Sequence, residues 1–301
     1  MLSKPLWDEV VDNAAKSWAE RLTSPALFFW GVGVFVFGHH IGWKSIQASM
    51  SGLTDFAAVG LIVGVVLLIA ASSKIIEEMQ HVPLGLLRGD WPRAFHPLRR
   101  KLVLGALHEW SIKRARLATL MEHYDHLTPE EELEYAQLDD VLKNDYPALH
   151  RFHPTRIGNR LQSAEDYPSM RYGLVASVIW PRLWLVIPDE ARSEIVSTRE
   201  RLTSGVRLMT WSCLLLSWLP LTIWWIAWWT AIPIVLAVSM GTMWGYWQTL
   251  RSARDYGDLL RAAFDVYRIE LFESIGWSTI QDTVRVGEQL TSFLWRGELP
   301  T

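Results

Sequence analysis

Residues 208–248 contain no Asp, Glu, Lys, Arg or His. No other feature of the chain limits its fold so strongly. At about 1.5 Å per helical residue, a single helix of this length would reach about 60 Å, twice the roughly 30 Å hydrocarbon core of a bilayer. The stretch must therefore turn back on itself. Trp224, Trp225, Trp228 and Trp229 mark the turn, because indole rings favour the headgroup level, and Pro233 suits the opening turn of a returning helix. The pattern predicts two transmembrane helices, over about 208–227 and 231–249, joined by a short aromatic turn.

A shorter apolar pair precedes them. Residues 26–43 make the first expected span, with Gly31, Gly33, Gly38 and Gly42 giving it a narrow side. His39 and His40 stand near its far end, where two polar residues at an interface explain them better than a proton-sensing pair. Residues 44–55 read as a short polar loop. Residues 56–73 make the second span, and Gly60-x-x-x-Gly64 within it is a small-residue packing motif. Ahead of both, residues 1–23 place Leu6, Val10, Ala14 and Trp18 four apart, as in an amphipathic helix lying on headgroups. That segment mixes acids and bases and lacks a cleavage site after its apolar run, so no processing is expected.

Between the pairs, residues 77–206 are mixed in charge and helical in period, with no alternating strand pattern. Thr128-Pro129-Glu130-Glu131 predicts a capped helix start, and that helix should run to about Asn144. Residues 174–187 are apolar but too short to cross, which suits a core or interfacial segment, with a break expected at Pro181-Arg182. Beyond the last span, residues 251–275 continue as an amphipathic helix with Leu259, Leu260, Ala263, Phe264, Tyr267 and Leu271 on one side. A break at Gly276-Trp277-Ser278 and a final helix over 279–295 complete residues 250–301. The fold class is thus an all-α integral membrane protein. It has four transmembrane helices in two hairpins (24–76 and 207–249), an α-helical cytosolic insertion between spans two and three, and a cytosolic helical C-terminal tail.

Lys74, Arg199, Arg201, Arg207, Arg251 and Arg254 lie close to membrane ends on one side, whereas the 44–55 loop carries only Lys44 and the 228–230 turn no basic residue. The positive-inside bias puts both termini and the insertion in the cytoplasm of a plasma (inner) membrane. The formal charge of −3 points away from nucleic acid, and a mean hydropathy of +0.10 fits spans joined to a large water-facing part. Cys213, the one cysteine, falls in the third span and reads as inert packing.

No GxSxG, Walker loop, GxGxxG or paired CxxC is present, so the chain does not read as an enzyme and no cofactor is expected. Only Glu78-x-x-His81 has the spelling of a carboxylate-bundle metal motif, and His123-x-x-His126 and His150-x-x-His153 suit solvated helical faces, so no metal is expected. Arg156, Arg160 and Arg171 are the candidate ligand-binding residues, since guanidinium forks match phosphate or carboxylate. Their alternative is a structural network with Glu165, Asp166 or a neighbouring subunit.

Two hairpins with a cytosolic insertion and both ends inside are similar in layout to bestrophin-type anion channels. The likeness is one of topology. Residues 26–43 and 56–72 lack that family's pore motif, and no pore residue is carried over. Two functional classes follow, in order of preference. The first is an oligomeric channel or pore-type membrane effector, gated or assembled by its helical domain. The second is a non-conducting membrane anchor that presents this domain to a cytosolic partner. The expected partners are the lipid bilayer, further copies of the chain and a cytosolic protein. The topology is checked directly: a tag fused after residue 301 should escape membrane-impermeant labelling in intact cells and react once the cells are permeabilised.

Overall fold

Every regular element among the described residues is helical, as the periodicity requires. The computed structural model describes residues 25–277 and 284–297, so the amphipathic segment expected at 1–23 lies outside them. The helices are α1 (Pro25–Ile41), α2 (Trp43–Ser51), α3 (Asp55–Glu78), α4 (His81–Arg88), α5 (His96–Glu122) and α6 (Pro129–Asn144). They continue with α7 (Arg156–Tyr172), α8 (Ala176–Val186), α9 (Asp189–Leu214), α10 (Leu219–Trp225), α11 (Ala231–Ser274) and α12 (Val284–Arg296). The chain divides into two compact units, one from Met1–Pro83 with Ser204–Trp247 and one from Leu84–Thr203 with Gln248–Thr301.

In the first unit, α1 and α2 meet at a 98° bend where Gly42 takes φ +90°, a left-handed value that an L side chain rarely adopts. The expected 44–55 loop is therefore mostly helix. Trp43 explains the correction: its ring folds back over Gly38, where an added Cβ would lie 2.6 Å from the indole. Two helical stretches, Asp55–Glu122 and Asp189–Trp225, hold a segment long and apolar enough to cross a membrane, and the bent α1–α2 pair makes a third if taken as one span.

Aromatic packing ties α1 to the segment after α9. Trp218 is buried and its ring fills the space over Gly33, while Phe29 stacks against Trp211 and Trp218 with centroids 5.3 and 5.4 Å away. Pro220 clashes with a helical carbonyl four residues back, which fits the tighter 3-10 turn over Leu215–Trp218. Trp30 donates its indole N–H to Ser72 Oγ at 3.1 Å, fastening α1 to α3. The close approach of α9 and α11 uses Gly241 and Gly245, which meet Ser212 and Met209. The sequence reading passed over this second GxxxG pair.

The second unit has its own core. α8 buries one face in it, with Ile179 and Leu183 at 0% exposure, packed with Phe264 and Leu271 of α11. The expected break at Pro181 does not occur. Proline there removes one backbone bond, to the carbonyl of exposed Ser177, and burial on both sides of it holds the helix together. Thr128 is the expected cap, and with Glu131 it forms a full capping box. Thr155 caps α7, and Gly173 ends it in the left-handed region, its N–H donating to Ser169 O and that of Leu174 to Pro168 O, both at 3.1 Å. α12 then packs so closely on this end that a Cβ on Gly287 would stand 1.8 Å from the Tyr172 carbonyl oxygen. Gly287→Ala should cost about 1–3 kcal/mol through overpacking. Chemical denaturation would register it, with faster hydrogen exchange in α12.

Candidate functional site

A recess of about 580 Å³ opens in the second unit beside the first turn of α7. Lys101, Gly105, Glu109 and Lys113 stand four apart along α5, so they form one stripe, and that stripe is one wall. Val141 of α6 with Asp145 and Tyr146 forms a second wall, and Pro154, Thr155, Arg156 and Asn159 form the third.

The polar groups here are ordered by one another. Glu109 Oε1 accepts from Lys113 Nζ at 2.7 Å and from Arg156 Nη2 at 3.2 Å. Lys113 also donates to the Tyr146 hydroxyl at 3.1 Å. The Lys113 hydrogen bond holds the Glu109 carboxyl below its ordinary value, against the opposing effect of burial. Burial alone would lower the Lys113 ammonium, but its bonds to Glu109 and Tyr146 outweigh it and raise the group. Burial also pushes the Tyr146 phenol up.

Asn159 is only 3% exposed, and its Oδ1 accepts the His153 backbone N–H at 2.7 Å. Because a backbone N–H can only donate, that bond fixes which amide atom is oxygen. The remaining NH2 has no partner among the described residues. Lys101 likewise has no hydrogen-bond or ion-pair partner among them.

The three candidate arginines have different settings. Arg160 is the most enclosed: Nε and Nη2 grip the two Asp145 oxygens at 2.8 and 2.7 Å, and Nη1 donates to the Leu250 carbonyl at 2.7 Å. It braces the recess from behind. Arg156 lines the recess itself, with a side chain 69% exposed and one bond, to Glu109. Arg171 lies 15 residues further along α7, roughly 22 Å by helical rise. Its guanidinium covers the Tyr167 and Tyr172 rings at 5.7 Å. So the structure brings Arg156 and Arg160 to one locality and leaves Arg171 at another. The acids named as alternative partners are used by other groups: Glu165 pairs with Arg88, and Asp166 with Arg151.

The Arg171 locality is a tyrosine pair held by one carboxylate. Asp265 accepts from the Tyr167 hydroxyl at 2.9 Å and from that of Tyr172 at 2.6 Å, joining α7 to α11. Burial, then the Asp265 bond, pushes the Tyr167 phenol up to about 12. The cluster fastens α7 to α11.

Two other cavities differ in chemistry. One in the second unit, about 410 Å³, is lined by Arg88, Arg151, Glu165, Trp180 and Tyr256, and both its arginines already face a carboxylate. One in the first unit, about 840 Å³, is almost wholly apolar, with His39, Thr222 and Thr230 its few polar side chains. His40 instead stacks on Trp225, centroids 4.1 Å apart. The His81 ring bonds the Glu78 carbonyl and that of His153 bonds Gln162, and among the described residues no three His, Cys, Asp or Glu gather as metal ligands would. Comparison of the chain with protein-family models, with curated proteins and with solved structures finds no match.

Sequence reasoning found Arg156 but not Lys101, Glu109, Lys113 or Asn159. The four-residue spacing on α5 was the available signal, though it equally describes a solvated face. The roles of the two arginines separate by mutation. Arg160→Ala strands a half-buried carboxylate and should cost about 2–3 kcal/mol, short of the roughly 3–5 kcal/mol of a fully buried pair. Arg156→Ala, at an exposed pair, should cost under about 1 kcal/mol. Denaturant midpoints of the two variants measure both.

Proposed function

We propose that this chain is a four-span integral membrane protein acting as an oligomeric channel or pore-type membrane effector. Its helical unit and termini are cytoplasmic, and that unit gates or assembles the pore. The supporting observation is the bareness of α3. Within the apolar window of the stretch that begins at Asp55 only 6% of residues are buried, and a Cβ added to Gly60 or Gly64 would meet nothing within 4 Å. Exposed apolar surface costs about 25 cal/mol per Å² in water, so a side this bare belongs against lipid or another helix. In lipid, a small-residue face lets a second backbone come close.

The fourth crossing is the first half of α11. It has no charge from Ala231 to Gln248, but its Trp, Gly, Ser and Thr content lowers its hydropathy. Indole rings at the headgroup level and small residues against a neighbouring helix suit such a segment in a bundle. The crevice of the first unit is apolar, so it gives a single chain no wet route, and conduction would run between chains. The alternative, a non-conducting anchor presenting its helical domain to a cytosolic partner, draws on the separate core of the second unit.

Subunit counting in nanodiscs, with planar-bilayer recording of the same preparation, tests the reading. A ring of subunits with measurable conductance is expected, and the double variant Gly60→Leu, Gly64→Leu should shift the population to monomers. A wild-type monomer that passes no current under any voltage would overturn it in favour of the anchor.

A further inference from the structure

We propose that the recess between α5, α6 and the first turn of α7 is a binding site for a small organic phosphomonoester. The charge count is the first argument. Lys101, Lys113, Arg156 and the bracing Arg160 face two carboxylates, Glu109 and Asp145, leaving a surplus of two positive charges. A phosphomonoester carries about −1.5 to −2 at neutral pH, which matches that surplus. The 410 Å³ cavity of the same unit, where each guanidinium already has its own carboxylate, lacks it.

The second argument is unused donor capacity. Asn159 is 97% buried, from its 3% exposure, yet its NH2 has no protein acceptor. The nitrogen opens on the recess rather than being sealed, so water satisfies it there and a ligand oxygen can take the place of that water. Lys101 has no counter-ion, and Arg156 spends one N–H on Glu109 and keeps the rest of its fork. These donors surround the amino end of α7, a 17-residue helix whose dipole favours an anion there, with Thr155 Oγ1 already taking the Gly158 N–H.

The third argument is size. About 580 Å³ far exceeds one phosphate and lies in the usual range of small-molecule pockets. Leu102, Ala106 and Val141, with the Tyr146 ring, offer an apolar and aromatic wall for an organic part. Glu109 stands on the same wall, where its second oxygen can accept from a ligand hydroxyl or amine. The inference holds whether the membrane unit conducts or only anchors.

The test uses the full chain in nanodiscs of neutral lipid, titrated with inorganic phosphate, with a nucleoside monophosphate and, separately, in discs doped with phosphatidic acid. Binding is read by calorimetry and by the unfolding midpoint. Wild type should bind, and inorganic phosphate should compete. The double variant Lys101→Ala, Arg156→Ala should weaken binding at least tenfold. Asn159→Asp keeps the oxygen that accepts from His153 but turns the unused donor into a carboxylate, so it should fold and fail to bind. Arg114→Ala, outside the recess, should bind as wild type. Saturation by the nucleoside monophosphate in neutral discs assigns a soluble ligand, and a response only to phosphatidic acid assigns a lipid headgroup; either supports the proposal. Absence of binding to all three probes at millimolar concentration would overturn it, as would affinity unchanged in both recess variants.

Discussion

The pairing of every backbone N–H and C=O within its own helix is the constraint from which the rest of this molecule follows. A stretch with no charge over residues 208–248 cannot expose unpaired backbone to hydrocarbon, because each unsatisfied group would cost several kcal/mol. Helix is the one solution open to an unclosed chain. In a bilayer, as proposed, its length would require a turn; the chain does turn at Trp228–Thr230 and goes on as α11. What departs from regular helix in the first unit has a local cause: a positive φ at Gly42, or a proline at 220 that goes with the tighter 3-10 turn ahead of it.

Side-chain packing works differently in the two units. In the first, close approach depends on missing side chains. Gly33 receives Trp218, Gly38 receives Trp43, and Gly241 and Gly245 admit α9. In the second, aliphatic burial supplies the core and polar contacts fix the register. α8 carries the core, Asp265 binds two phenols, and Arg160 holds Asp145 with a fork. The first kind of packing is indifferent to water. The second depends on water being excluded around charged groups that are already matched.

How much of this the sequence disclosed depended on whether the signal was local. The helix from Pro129 to Asn144 was readable at its start and approximately at its end, because a hydroxyl cap, a proline in the first turn and acids after it are local instructions. The apolar segment at 174–187 was readable as a core or interfacial piece too short to cross, but not as an unbroken helix, since burial of Ile179 and Leu183 on either side overrules the proline at 181. The loop assigned to 44–55 failed because its helix depends on Trp43 finding Gly38, a contact that polarity does not announce. Gly60-x-x-x-Gly64 attracted notice while Gly241-x-x-x-Gly245, the pair used within the chain, did not. The motif states that a helix can approach and is silent on which one does. The recess was half legible for the same reason. Arg156 stood out in a dense basic run, but Asn159 becomes informative only once its oxygen is seen to be committed to His153.

The aromatic turn also acts as a ruler. Its backbone leaves helical geometry at Ile226 and Ala227, yet the Ile226 N–H still donates to Thr222 O at 3.0 Å and the Ala227 carbonyl accepts from the Thr230 N–H at 3.2 Å, so the turn is tied at both ends by its own bonds. Counting back from 227, one bilayer thickness of about 20 helical residues ends at Arg207. Counting forward from 231, the same distance ends at Arg251. On the proposed four-span reading the indole turn would mark one face of a bilayer and these two sequence positions the other, so the count of residues from indole to arginine would measure its thickness.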